Sequence, residues 1–174
     1  TYPVGLPESL NFQALMKTFL IEDKEKIEAI IRQCDTCFVG MIDLDGNPYV
    51  IPMNFAYADG VVYLHSGPEG GKLKMLERNN QVCITFSTGH ELVYQSEKIA
   101  CSYSMRSESA ICRGKVTFID DLEEKRRILD LIMHHYTDNE FTYSEPALRN
   151  VKVWQVPVEQ LSGKYFGRRG YEKP

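Results

Sequence analysis

Two apolar-alternating segments, Tyr49 to Tyr57 and Val61 to His65, flank Ala58-Asp59-Gly60. Asp-Gly between such runs signals a tight hairpin, because glycine accepts the positive φ of the turn at no steric cost. A hairpin joins its strands antiparallel, which argues against a parallel sheet built from helical crossovers. The second strand runs into Ser66-Gly67-Pro68-Glu69-Gly70-Gly71-Lys72 and then a helical pattern carrying Leu73, Leu76 and Arg78. Free backbone N–H groups at a helix N-terminus point outward and Lys72 adds a full charge, so this turn is suited to an anionic group such as a phosphate. Taken alone, the same residues also read as an ordinary turn capping a surface helix; the strand leading into them favours the phosphate reading.

The rest of the chain supplies more strands than helices. Asp23 is an N-cap for a helix over Lys24 to Gln33, with Ile27, Ile30 and Ile31 as its buried stripe. Thr36 to Asp43 reads as a strand and Leu44-Asp45-Gly46-Asn47 as a second hairpin turn. After a helix over Lys72 to Asn79 come a strand from Gln81 to Ser87 and a turn at Thr88-Gly89-His90. Glu91 to Gln95 and Ala100 to Met105 are further candidate strands. Ser109 to Ile119 is another, with Gly114 as a bulge. Asp120 to Tyr136 carries the clearest helical period, with acidic residues at its start as the helix dipole favours. Asn150 to Val158 alternates as a strand. About six strands with a few helices predict a mainly β, antiparallel barrel or sandwich with helical decoration. Residues 1–22, with scattered aromatics and no period, read as an irregular arm holding a short helix. Its Tyr2, Phe12, Leu15, Phe19 and Leu20 call for a packing surface, a second subunit among the options. Residues 23–174 read as one domain.

The 174 residues carry a net charge of -4, which argues against nucleic-acid binding. No apolar run approaches the roughly 20 residues needed to span a bilayer. Five cysteines, an odd count, and no basic-then-apolar leader suggest a reducing, cytoplasmic setting. Cys34 and Cys37 form a CxxC, yet no second pair or matching histidine spacing accompanies it, so both read as small buried residues and no metal site is expected. His134 and His135 close a helix, where positive charge is favourable.

In order and spacing, these pieces resemble the FMN-binding split barrel of the pyridoxamine-phosphate-oxidase-like superfamily, and more narrowly its nitroimidazole-resistance branch. The matching runs are Asp43 to Gly46, Pro48 to Asn54, Gly60 to Ser66, Glu69 to Leu73, Asn79 to Phe86 and Ser109 to Lys115, followed by the long helix and the Trp154 strand. The resemblance spans about residues 25–165. It implies a homodimeric split β-barrel with a flavin in the groove between subunits, FMN first and FAD left open. By the resemblance, Val50, Ile51, Pro52, Met53 and Asn54 run beside the flavin ring with their backbone. His65, Ser66, Gly70, Gly71 and Lys72 lie at the ribityl-phosphate end, and Ser107 and Ser109 reach the flavin bound mainly by the other subunit. The branch commonly carries an aromatic residue where Ser107 stands here.

His65 is the catalytic candidate, as a hydrogen-bonding or proton-supplying group, against the alternative of a core histidine. Trp154 is read as packing, or as stacking near the flavin. Lys164, Arg168 and Arg169 are read as a solvated tail, or as a cover for the second phosphate of FAD. The function implied is a flavin-dependent oxidoreductase that passes hydride equivalents from a donor such as NAD(P)H to a small electron-poor acceptor, for example a nitro-aromatic. A flavin-binding or storage protein without turnover and a haem-binding or haem-degrading relative on the same barrel are the alternatives. The C-terminal arginine pattern of pyridoxamine-phosphate oxidase itself is not found, although Arg168-Arg169 keep that reading open.

Overall fold

The computed structural model describes residues 18–167. In chain order the elements are β1 (Thr18–Ile21), α1 (Lys24–Arg32), β2 (Cys37–Ile42), β3 (Pro48–Met53), β4 (Phe55–Ala58) and β5 (Val61–Ser66). Then follow α2 (Gly71–Arg78), β6 (Gln81–Val93), a 3-10 turn (Ala100–Ser102), β7 (Ser104–Lys115), β8 (Thr117–Ile119), α3 (Leu122–Tyr136), α4 (Glu145–Arg149) and β9 (Lys152–Phe166).

Every ladder is antiparallel, and the strands run in the order β3-β2-β6-β7-β9-β5-β4, with β1 and β8 also paired to β9. β9 is the hinge of the architecture. Its first half pairs with β5 and its second half with β7, so one strand serves two arms of the sheet. The two ends of the path, β3 and β4, are joined through a single residue, Asn54, and the sheet therefore wraps into a barrel split at that point.

Local chemistry explains the turns. Asp59 (φ 50°) and Gly60 (φ 77°) both take positive φ, the requirement of the hairpin turn that matches strand twist. At the β2–β3 turn, Asp43 Oδ1 accepts from the backbone N–H groups of Asp45 and Asn47, and Gly46 takes φ 89°. Asp23 caps α1 and Asp121 caps α3, each accepting backbone N–H bonds of the first turn.

The main core lies inside the barrel. Ile27, Ile30 and Ile31 of α1 and Leu73 and Leu76 of α2 meet the inward residues Val39, Phe55, Leu64, Ile84, Phe86, Cys112 and Trp154. A second cluster fills the space under α3, where Ile128 and Ile132 cover Ala56, Tyr63 and Val153.

Several expectations need correction. The run Tyr49 to Tyr57 is two strands, because Asn54 breaks it where the chain leaves β2 for β5. Thr88-Gly89-His90 is not a turn: β6 continues through it, and a bulge absorbs one extra residue between Thr88 and Glu91, with Gly89 at φ 67°. Ala100–Ser102 is a 3-10 turn at the tip of the long β6–β7 hairpin. Ser109 to Ile119 divides at Val116 into β7 and β8, which pair with different halves of β9. The bulge expected at Gly114 is present as a register shift between Arg113 and Gly114. β9 runs on to Phe166, so Lys164 sits in a strand opposite Ser109, while Arg168 and Arg169 lie outside the described residues. Thr18–Ile21 of the expected arm form β1; its expected short helix and Tyr2, Phe12 and Leu15 lie outside the described residues.

Candidate functional site

α2 begins in an unusual way. Its N-cap, Gly70 (φ 141°), provides no side chain, and no other side chain among the described residues caps the helix. Its first turn holds no acidic residue but contains Lys72 and Lys74. Cations at the positive end of a helix dipole are unfavourable by roughly 0.3–1 kcal/mol each. An anion placed there would offset both the bare N–H groups and the two charges. Among the described residues the space above the turn is open, since a Cβ added at Gly67 or Gly70 would meet none of their atoms within 4 Å. Ser66 is buried and its hydroxyl donates to the Gly67 carbonyl at 2.9 Å, which fixes the start of the turn.

His65 stands one residue earlier, half-buried, and its Nδ1 is enclosed without a hydrogen-bond partner among the described residues. Burial, and then the nearby Lys72 charge, hold its pKa below the ordinary imidazole value. A neutral imidazole with an unused nitrogen beside an ammonium group can donate to, or accept from, a bound molecule near neutral pH.

The β3–β4 junction brings a third group to this place. Phe55 pairs with Leu64, so Asn54 is placed next to His65 by the register of the ladder. Asn54 is exposed, whereas Phe55 is sealed between Phe86 and His135. Thus Asn54, His65, Ser66, Gly70, Gly71 and Lys72 are gathered along one rim of the barrel.

The remaining predicted residues divide by strand alternation. Ile51 and Met53 pair with the inward Val39 and Cys37, so only their backbone is available at the sheet edge. Val50 and Pro52 face outward and are exposed. Ser107 and Ser109 also face outward, since Ala110 and Cys112 point into the core. They lie on β7, three strands from β3, a separation of about 14 Å. Within one chain the β3 edge and the β7 serines therefore do not converge on one small ring. The outer sheet face between them is apolar and open, with Phe38, Val50, Leu92 and Met105 between 47% and 60% exposed. A groove of about 410 Å³ runs along it, floored by Gly40, Val50, Cys83 and Arg113.

Trp154 is fully enclosed, edge-on to Phe118, and presents no face to a ligand. Its place in the core agrees with the packing alternative. Cys34 donates its thiol to the Ile30 carbonyl and Cys37 to the Met53 carbonyl. Burial pushes the Cys37 thiol up to about 12, so the CxxC is a pair of inert core thiols. Among the described residues no group of three or more His, Cys, Asp or Glu side chains is arranged to hold a metal. None of their helices is long and apolar enough to cross a membrane.

Two residues escaped the sequence reading. Lys152 stands opposite Ser66 on β9, paired with Asp120 and lying over the Phe118 ring. Tyr136, at the end of α3, reaches the β3–β4 junction. Neither follows from local pattern, because each is placed by a pairing distant in sequence.

The architecture is the antiparallel split barrel of the flavin-binding type. The model of the family described as pyridoxamine 5'-phosphate oxidase matches residues 23–165, and the chain belongs to that family. It is 68% identical to a candidate 5-nitroimidazole antibiotic resistance protein from Bacteroides thetaiotaomicron, whose crystal structure superposes with a TM-score of 0.81 over 87% of this chain and 89% of that one. Two more distant structures share the fold. The flavocytochrome Anf3 from Azotobacter vinelandii is 21% identical, with a TM-score of 0.73 over 94% of this chain and 74% of that one. The FAD and heme binding protein from Mycobacterium smegmatis is 16% identical, with a TM-score of 0.76 over 89% and 76%. No curated protein matches the sequence.

Proposed function

We propose that this chain binds a flavin, FMN in the first instance, and acts as a flavin-dependent oxidoreductase on a small, flat, electron-poor acceptor such as a nitro-aromatic. The observation that carries the reading is the start of α2: a helix N-terminus with no side-chain cap, two lysines and no acid in its first turn, beside an imidazole whose Nδ1 has no partner among the described residues. These groups fit a phosphate-bearing cofactor. The 68% identity to the candidate nitroimidazole resistance protein supports the choice of acceptor.

When bound, a flavin supplies hydride and electron transfer; the protein supplies binding, orientation and electrostatics. In this reading the backbone N–H groups of Gly71 and Lys72, with the Lys72 ammonium, hold the phosphate. The free edge of β3 from Val50 to Asn54 lies along the ring. His65 Nδ1 stands ready to hydrogen-bond the cofactor or to hold a proton for the acceptor. Ser107 and Ser109, about 14 Å from β3, serve the ring bound by a second copy. The exposed apolar outer face that carries them is the surface through which two copies join as a homodimer. A reduced nicotinamide is the proposed electron donor.

The test is Lys72→Ala, purified beside the parent. A charge-assisted phosphate contact contributes about 1.5–3 kcal/mol, so flavin affinity should fall roughly 10- to 150-fold with the fold retained. A variant as yellow as the parent would refute the phosphate assignment. Adding NADH or NADPH to the parent separates an oxidoreductase, whose colour bleaches, from a storage protein, whose colour persists. A Soret band near 400 nm (an order-of-magnitude expectation) would instead favour the haem alternative.

A further inference from the structure

The hydroxyl of Tyr136 occupies the point where the barrel is split. It accepts from the backbone N–H of Phe55 at 3.1 Å and donates to the Asp35 carbonyl at 2.8 Å. Both directions of its hydrogen-bonding capacity are thereby used, which fixes the phenol in one orientation. Its neighbour His135 donates Nε2–H to the Cys34 carbonyl at 2.7 Å and lies with its ring 4.7 Å from that of Phe55. The last turn of α3 thus clamps two stretches of chain together, the approach to β2 at Cys34–Asp35 and the first residue of β4.

What this clamp controls follows from the ladders. Met53 is the last residue of β3 paired with β2, and Phe55 is the first residue of β4 paired with β5. Only Asn54 lies between them. The angle at which β3 leaves the β4–β5 arm, and hence where Val50 to Asn54 stand relative to His65 and the α2 turn, is therefore set at this junction. No direct ladder bond joins β3 to β5, which are not neighbours in the sheet, and β3 is otherwise held only through its pairing with β2. The Tyr136 hydroxyl supplies the missing constraint.

We propose that Tyr136 is a positioning residue that holds the β3 edge and Asn54 in register with His65, so that a ring and a phosphate on one ligand are met together. The proposal rests on the flavin reading above and adds a residue that touches no ligand. Removing the hydroxyl frees the Phe55 N–H and loosens the Met53–Phe55 junction while the six β2–β3 pairs remain, which loosens the ring end of the site and leaves the α2 turn intact.

The experiment compares the parent, Tyr136→Phe and Lys72→Ala for binding of FMN and of riboflavin, which lacks the phosphate. Melting midpoints and amide hydrogen exchange at Phe55 are measured in parallel. In Tyr136→Phe, Phe55 exchange should accelerate, and affinity for both FMN and riboflavin should fall about fivefold, the equivalent of one ordinary hydrogen bond. Lys72→Ala should weaken FMN and spare riboflavin. Parental affinity of Tyr136→Phe for both probes overturns the proposal, as does an affinity loss that merely tracks a collapse of the melting midpoint. So does an unprotected Phe55 amide in the parent, a result that needs no variant to fold. If the parent binds neither probe, the flavin reading itself falls and takes this proposal with it, while the Phe55 amide still reports on the clamp.

Discussion

Gly114→Ala tests whether the β7–β9 ladder is as tight as the structure places it. A Cβ at position 114 would lie 2.2 Å from the Pro157 carbonyl oxygen and 3.0 Å from Val156 Cγ1. A carbon and an oxygen in contact need about 3.3 Å, so one strand must retreat by about 1 Å. The obstacle is backbone, and no side-chain rotation relieves it. Retreat strains the pairs Gly114–Val158 and Arg113–Gln160, which lie on either side of the bulge. Overpacking of this kind costs about 1–3 kcal/mol, and each weakened ladder bond adds about 1 kcal/mol. We take about 3 kcal/mol as the centre. For a chain of this size that lowers the thermal midpoint by roughly 6–12 °C. The assay is thermal unfolding of the parent, Gly114→Ala and a control, Gly67→Ala. Position 67 has no heavy atom of the described residues within 4 Å of the added carbon, so the control should stay within about 0.5 kcal/mol of the parent. A Gly114→Ala midpoint within about 2 °C of the parent would show that the register shift at this glycine is misplaced.

Two further outcomes follow from buried ionisable groups. Burial and Lys72 hold His65 below its ordinary value near 6.5, so its contribution to stability is present above that value and lost as pH falls through the lower folded-state value. Ring NMR titration should show His65 moving upward in Lys72→Ala, and upward in the parent when inorganic phosphate or FMN occupies the turn; no movement in the variant would separate the two side chains. Lys125 is 5% exposed and donates to the carbonyls of Leu148 (3.1 Å) and Val151 (2.8 Å), tying α3 to the end of α4. Lys125→Met keeps the packing stem and removes both bonds, and should cost about 1–3 kcal/mol in urea unfolding; an unchanged midpoint would mean that the two carbonyls find other partners.

Much of the barrel was legible because its cues are local. Asp59-Gly60 and Asp43 to Asn47 specify their turns through backbone φ and side-chain acceptors, and Asp23 announces α1. The sequence failed where pairing partners are far apart. Asn54 sits inside an unbroken apolar alternation, and only the change of partner from β2 to β5 divides the run. Gly89 looks like a turn residue, yet a bulge uses the same positive φ without ending the strand. β9 outlasts its apolar pattern because β1 and β7 flank its second half. Of the site, the β5–α2 turn could be read directly, since glycines, lysine and histidine are contiguous. Which of Val50 to Met53 face outward depends on the inward partners on β2. The burial of Trp154 depends on Leu64 and Phe118 beside it. The role of Tyr136 depends on a contact 81 residues away in sequence.

One feature of the ladder bears on how this protein can be handled. Thr18 and Phe166 are direct partners, so the two ends of the described chain lie side by side, about 5 Å apart. A short linker could join them, and the chain could be reopened at the exposed Asp45-Gly46 turn without cutting any strand. Because Phe166 also pairs with Ser107, a bulky tag fused directly at Thr18 or Phe166 would load the same corner of the outer face; a permuted chain opened at Asp45-Gly46 would carry the tag at the far side of the β2–β3 hairpin instead.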